Sequence, residues 1–215
     1  MRELLASIPD NVNIYIWDNA STDETQNIDK EKYIYHRNPE NIGGPPNIYQ
    51  AYTKAEGDYI WVIGDDELLP PGAVETVLEK IKLNPGLIIV NCPDYVHHLT
   101  QFVFENYREF AQVCERVNPH LLIAHSLISA NVIRKDCFDK TSDFPHDYGN
   151  FYRIINALSD TDKVVFCEEH TLTVRQSRAG PIDGVWNGDL ISAQRVYLQW
   201  VKERYGLSII PESIV

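Results

Sequence analysis

The sequence predicts an α/β domain: a Rossmann-like, mostly parallel sheet with helices on both faces. Three observations predict it. Short apolar runs alternate with amphipathic helical patterns, as in strands joined by crossover helices. The run "YIWVIG" (59–64) has five apolar residues in six positions, the character of a buried strand. And 215 residues with 44% apolar content can bury a real core as one domain.

The elements follow in order. Residues 1–8, "MRELLASI", read as a helix, and "VNIYIW" (12–17) as a strand. Ser21-Thr22-Asp23-Glu24 is a capping box that would start a helix. "NIYQAYTKAEG" places Ile48, Ala51, Tyr52 and Ala55 on one helical face, and residues 58–64 form the next strand. In "PPGAVETVLEKIKLNPG", Pro71 lies near a helix start and Val74, Val77, Leu78 and Ile81 share a face. Asn84-Pro85-Gly86 is the stop. "LIIVNC" (87–92) is a third strand. Beyond residue 95 the pattern weakens. "HSLISANVIRKDCF" reads as a strand or short helix, "HDYGNFYRIINALSD" as a helix with Phe151, Ile154, Ile155 and Leu158 on one stripe. "KVVFCEE" reads as a strand and residues 189–205 as a long helix. No repeat, low-complexity tract or linker divides the chain, so residues 1–215 are read as a single domain.

The formal net charge of −12, with no Lys/Arg block longer than two residues, disfavours nucleic acid and anionic membranes as partners. Cys92, Cys114, Cys137 and Cys167 form no C-x-x-C pair and read as buried thiols in a reducing compartment. Without a signal peptide or a membrane-spanning apolar run, the expected location is the cytoplasm.

Three segments carry candidate chemistry. "WDNASTDET" (17–25) follows a strand, where open α/β sheets bind ligands, and Asp18 can accept from a base N–H. Its neighbours Ser21 and Asp23 suit a cap better than a site. "NPENIGGPPN" (38–47) sets Gly43-Gly44 before a helix, where backbone N–H groups can approach a phosphate, although such clusters mostly mark loops. In "GDDELLPP" three carboxylates, Asp65, Asp66 and Glu67, stand in a row at a strand's end. Each raises the cost of ionising the next, so they call for positive charge. A divalent Mg²⁺ or Mn²⁺ would supply it. The alternative is a solvated turn whose acids favour the following helix N-terminus.

Taken in this order, strand–DNASTD, N-x-G-G before a helix and strand–GDDELLPPGAV resemble the family 2 glycosyltransferases of the GT-A fold. The likeness continues more loosely through "LIIVN", "LISANVIRKDCF" and "DFPHDYGNFYRIINAL". The resemblance implies inverting transfer of a sugar from a nucleotide-diphosphate donor, a UDP-sugar first, to a hydroxyl of a carbohydrate or other acceptor. It implies Mn²⁺ or Mg²⁺ held by a D-x-D-like motif. By position it implies Asp18 at the donor base and Asp65 at the ribose. Asp66 or Glu67 would hold the metal, Glu67 standing where the family has a third Asp. Asn19, Gly43, Gly44 and Asn47 complete the donor-binding set. Asp147 is the implied base, with Asp143 in reserve and His146 a weaker candidate. Asp147 also suits a helix N-cap. In "EEHTLTVRQSR", Arg175 and Arg178, with His170, would steady the leaving diphosphate.

The resemblance also implies a first strand that residues 1–8 do not supply. The C-terminal "GLSIIPESIV" has the apolar character to fill the slot, parallel to 12–17; a partner chain, making a homo-oligomer, is the other donor. This gap sets the alternatives: a catalytically inactive GT-A-like interaction module, or a metal-dependent phosphohydrolase, which would leave "DNASTD" unexplained.

Overall fold

The structure is a computed structural model that describes residues 1–91, 99, 101–119, 121–122, 125, 127–140, 149–173 and 189–207. Its helices are α1 (Arg2–Ser7), α2 (Gly44–Lys54), α3 (Ala73–Ile81), α4 (Tyr107–Val117), α5 (Gly149–Ala157) and α6 (Asp189–Tyr205). Its strands are β1 (Tyr15–Asp18), β2 (Ile34–Arg37), β3 (Tyr59–Trp61), β4 (Leu87–Asn91), β5 (Val103–Phe104), β6 (Asn131–Arg134) and β7 (Val164–His170).

The larger sheet has the order β3-β6-β4-β7-β5. β4 and β7 pair in parallel; β6 is antiparallel to both β3 and β4, and β5 is antiparallel to β7. β3, β4 and β7 therefore share one direction. All five residues of β4 are buried, as a strand covered on both faces requires. Its side chains alternate between two cores. Leu87 and Ile89 join Tyr52, Phe110, Ile133, Phe151, Ile154 and Tyr197 under α2, α4, α5 and α6. Ile88 and Val90 join Leu4, Val74, Val77 and Val132 under α1 and α3. Each such side chain contributes roughly 1.5–3 kcal/mol through burial. The α/β class with helices on both faces is therefore observed.

β1 and β2 form a separate parallel pair, in register from Tyr15↔Ile34 to Asp18↔Arg37. Among the described residues no strand joins this pair to the larger sheet. Of the proposed filler, residues 206–215, Gly206 and Leu207 are described: they close the end of α6, with Leu207 buried in the core beside Tyr205, and residues 208–215 lie outside the described residues.

Several expectations are corrected. The capping box yields only a turn of 3-10 helix, Glu24–Asn27, capped by Asp23, which accepts from the Thr25 N–H at 2.9 Å. Residues 28–33 supply no apolar stripe to bury, so the helix lacks the packing that sustains short helices. The 125–138 segment, expected as a strand or short helix, is borne out and supplies both a 3-10 turn, Ile128–Ala130, and strand β6. β2, β5 and α4 were not expected. The stop after α3 is Asn84 itself, with φ +50°, while Gly86 gives close approach: a Cβ there would lie 2.8 Å from Leu158 and Asp162. Cys114, Cys137 and Cys167 are free, buried thiols, as expected.

Candidate functional site: a rim of loops at the strand ends

Asp18 closes β1 with its side chain wholly inaccessible. One carboxylate oxygen, Oδ1, accepts the Ser21 N–H at 2.7 Å; the other, Oδ2, accepts from the Tyr35 hydroxyl and the Arg37 guanidinium of β2. Arg37 also donates to the Ser21 carbonyl at 2.9 Å, and its side chain remains about a third exposed (35%). Burial works against ionising Asp18. The bonds from Tyr35, Ser21 and Arg37 outweigh it and lower its pKa to about 2. Asp18 is thus a charged anchor sealed by neighbours that the sequence reading passed over. Ala20, inside this loop, holds a left-handed φ of +61°, which costs a non-glycine residue roughly 1–2 kcal/mol.

Asn19 reaches across to the N-x-G-G loop. Its amide donates to Asn41 Oδ1 at 2.8 Å and the Gly43 carbonyl at 3.1 Å, and its oxygen accepts from Ile42 N–H and Asn38. Asn47 donates to the Trp17 carbonyl at 3.0 Å. Asn19 and Asn47 therefore dock the loop onto β1. The expected phosphate cradle at Gly43-Gly44 is thin. The Gly43 N–H is taken by Asn41 Oδ1 at 2.9 Å, Pro45 and Pro46 carry no N–H, and the Asn47 N–H bonds the Gly43 carbonyl. Gly43 is needed for its φ of +87°.

The acidic turn after β3 divides its three carboxylates. Asp65 and Asp66 are exposed, whereas Glu67 is turned inward, only 8% exposed. Its Oε2 accepts the Gly64 N–H at 2.9 Å and its Oε1 accepts the Ser129 hydroxyl. Burial raises the Glu67 pKa against those two bonds, and Asp66 and Asp65 push the same way. Two exposed carboxylates offer the hard oxygen donors that Mn²⁺ or Mg²⁺ takes alongside substrate phosphates, so the turn fits such an ion through Asp65 and Asp66. Among the described residues, no group of three or more His, Cys, Asp or Glu side chains stands ready to hold a metal without a substrate.

Direct bonds knit these segments together. Met1 donates to the Asp65 carbonyl at 2.6 Å and Arg2 pairs with Glu24 at 2.9 Å, so α1 joins the acidic turn to the loop after β1. Asn150, at the start of α5, donates to the Pro45 carbonyl at 2.8 Å. Leu68 and Thr173 bridge the acidic turn to the chain leaving β7. Asp147, Asp143, His146, Arg175 and Arg178 lie outside the described residues, as does the His170 side chain.

The family model for glycosyl transferase family 2 matches residues 1–117, over half of the chain. The chain belongs to glycosyl transferase family 2. Abequosyltransferase RfbV of Salmonella typhimurium is 37% identical over 82 residues, 32% of this chain and 25% of that protein. The match thus spans about a quarter of that relative's length. Among solved structures, S. aureus TarS 1–349 superposes with a TM-score of 0.58 at 13% identity, covering 80% of this chain and 56% of that one. A mycobacterial protein follows at 0.51 and 14%, covering 92% and 66%. At these identities the likeness concerns the fold, the GT-A fold of family 2. No described helix is long and apolar enough to cross a membrane.

Proposed function

We propose that this family 2 domain transfers a sugar from a nucleotide-diphosphate donor, a UDP-sugar first, to a hydroxyl of a carbohydrate or similar acceptor, with inversion and with Mn²⁺ or Mg²⁺, in the cytoplasm. The observation that carries the reading is the rim itself. Segments far apart in sequence are joined by direct bonds, and two carboxylates, unpaired among the described residues, stand exposed on it.

In this reading the ionised Asp18 accepts from the base N–H once the partly exposed Arg37 swings aside, and Asp65 meets the ribose. Asp66 would hold the cation, whose positive charge would offset that of the departing diphosphate. Asp147 takes the proton of the acceptor hydroxyl as its oxygen bonds to the anomeric carbon. The bond from that carbon to the diphosphate breaks, and its electron pair leaves with the nucleotide. Arg175 and Arg178 bind the oxygens that gain charge. Hydrolysis of UDP-sugars by the purified chain, stimulated by Mn²⁺ and abolished in Asp66→Asn, tests the reading. Activity indifferent to Asp66 would overturn it.

A second reading, an inactive interaction module, draws on the separation of the β1–β2 pair from the larger sheet among the described residues. Undetectable binding of any nucleoside diphosphate would favour it.

A further inference from the structure

We propose that Glu67 is a positioning residue of the acidic turn and not a metal ligand. It would lock Asp65 and Asp66 outward by clamping Gly64 to Ser129. The inference deepens the metal reading above, and its stability test stands apart from that reading.

The clamp closes in three steps. Within the turn, the Glu67 N–H donates to the Gly64 carbonyl at 3.2 Å while the Glu67 carboxylate accepts the Gly64 N–H at 2.9 Å. Side chain and main chain thus close the same four-residue loop. Across the fold, the other carboxylate oxygen accepts the Ser129 hydroxyl, in the turn that leads into β6. Ser129 is held in turn from behind, because its carbonyl accepts the Trp61 indole N–H at 2.8 Å. Trp61 lies in β3, opposite Val132 of β6. The chain Gly64–Glu67–Ser129–Trp61 therefore ties the turn back to the strand that delivers it.

Packing leaves the clamp little slack. A Cβ on Gly64 would stand 2.8 Å from Asp66 Oδ1, the end of an exposed side chain that can turn away, and 3.4 Å from Glu67 Oε2, which the Ser129 hydroxyl holds in place. With both oxygens engaged and almost no exposure, Glu67 would have to abandon two hydrogen bonds to reach a cation. Among the described residues, the Asp65 and Asp66 carboxylates have no hydrogen bond to abandon. This also accounts for three adjacent acids: one is compensated inside the protein, and only two are presented.

Glutamine separates brace from ligand. In Glu67→Gln the amide oxygen can keep the Gly64 N–H, and the amide N–H can donate to Ser129, whose hydroxyl simply reverses. The clamp survives while the charge is lost. Mn²⁺ binding in the presence of UDP, read by the loss of the free-Mn²⁺ electron paramagnetic resonance signal, should then stay within about 3-fold of wild type in Glu67→Gln. It should fall at least about 10-fold in Asp66→Asn, which removes a ligand. A Glu67→Gln loss as large as that of Asp66→Asn would overturn the proposal. If the wild type takes up no Mn²⁺, the metal reading fails and thermal unfolding alone decides the brace. Glu67→Ala and Ser129→Ala should each lower Tm by several degrees, and the double variant by no more than the larger single loss, because they break one shared network. Additive losses would overturn it.

Discussion

Leu68 and Thr173 exchange both of their backbone hydrogen bonds, each 2.9 Å long. They lie far apart in the chain: one follows the acidic turn, the other leaves β7 just past the register shift that sets Val90 opposite Cys167 but Asn91 opposite His170. The Asn91 carbonyl accepts from both Thr171 and Leu172, which steers the chain off β7 towards that turn. Arg175, two residues further along the chain, lies outside the described residues, and two extended residues span at most about 7 Å.

The first prediction uses that reach. Arg175→Ala should weaken UDP binding by roughly 10-fold or more, the worth of a charge-assisted bond to phosphate. Arg175→Lys should restore only part, since it keeps charge without the planar fork. Calorimetric titration of UDP measures both, and unchanged affinity would place Arg175 off the diphosphate.

The proposed base lies three residues before Asn150, whose bond to the Pro45 carbonyl fixes the start of α5 beside the start of α2. Asp147→Asn should cut turnover by roughly 10²–10⁴-fold and leave UDP affinity nearly intact. An active variant that melts early would reduce Asp147 to a helix cap.

Asp18 links the site to stability. Its pKa is lowered from 3.8 to about 2, so the carboxylate stabilises the fold above pH 4 and this contribution is lost as pH falls through 2. That shift is worth about 2 kcal/mol. Asp18→Asn should remove this acid-limb loss and weaken UDP binding about 10–100-fold. Normal UDP affinity in a destabilised Asp18→Asn protein would confine the residue to holding its loop.

His125 makes a separate pH prediction. It is wholly buried beside Phe110 and Phe151. Its Nε2 is within hydrogen-bond distance of the Tyr107 and Tyr197 hydroxyls, and its Nδ1 finds no partner among the described residues. Burial lowers its pKa from 6.5 to about 3. The neutral ring is favoured in the fold while the unfolded chain takes up a proton. Stability is therefore fully present above pH 6.5 and falls by up to about 1.4 kcal/mol per pH unit below it, until the folded pKa is reached. Urea unfolding between pH 7 and 4 should show this slope in wild type and a flatter one in His125→Gln.

How much of this was legible follows from what each residue faces. The strands at 15–18, 59–61 and 87–91 and the helix at 73–81 announce themselves because their apolar letters follow the period of the surface they bury. β2 did not: its burial is confined to one half-covered residue, so Ile34-Tyr35-His36-Arg37 has no apolar run. Missing β2 also meant missing Tyr35 and Arg37, the partners that decide how Asp18 is charged. α4 did leave a signal. Asn106 accepts from the Glu109 N–H at 3.0 Å and Glu109 returns to the Glu105 N–H at 2.7 Å, a reciprocal cap readable as N-x-x-E. The acidic turn was found by its letters, but letters alone gave no direction to its side chains. Ser129, sixty-two residues away, turns Glu67 inward.

The central claim is that the acidic turn, through Asp66, holds a cation on a nucleoside diphosphate. Thermal unfolding with UDP at ~100 times its dissociation constant, in Mn²⁺ and in EDTA, tests it most directly. A ligand at that level adds about 2.7 kcal/mol, which for a chain of this size raises Tm by roughly 5–10 °C. The account predicts that rise with Mn²⁺, little with EDTA and none in Asp66→Asn. Equal shifts with and without metal, or a full shift in Asp66→Asn, would contradict it.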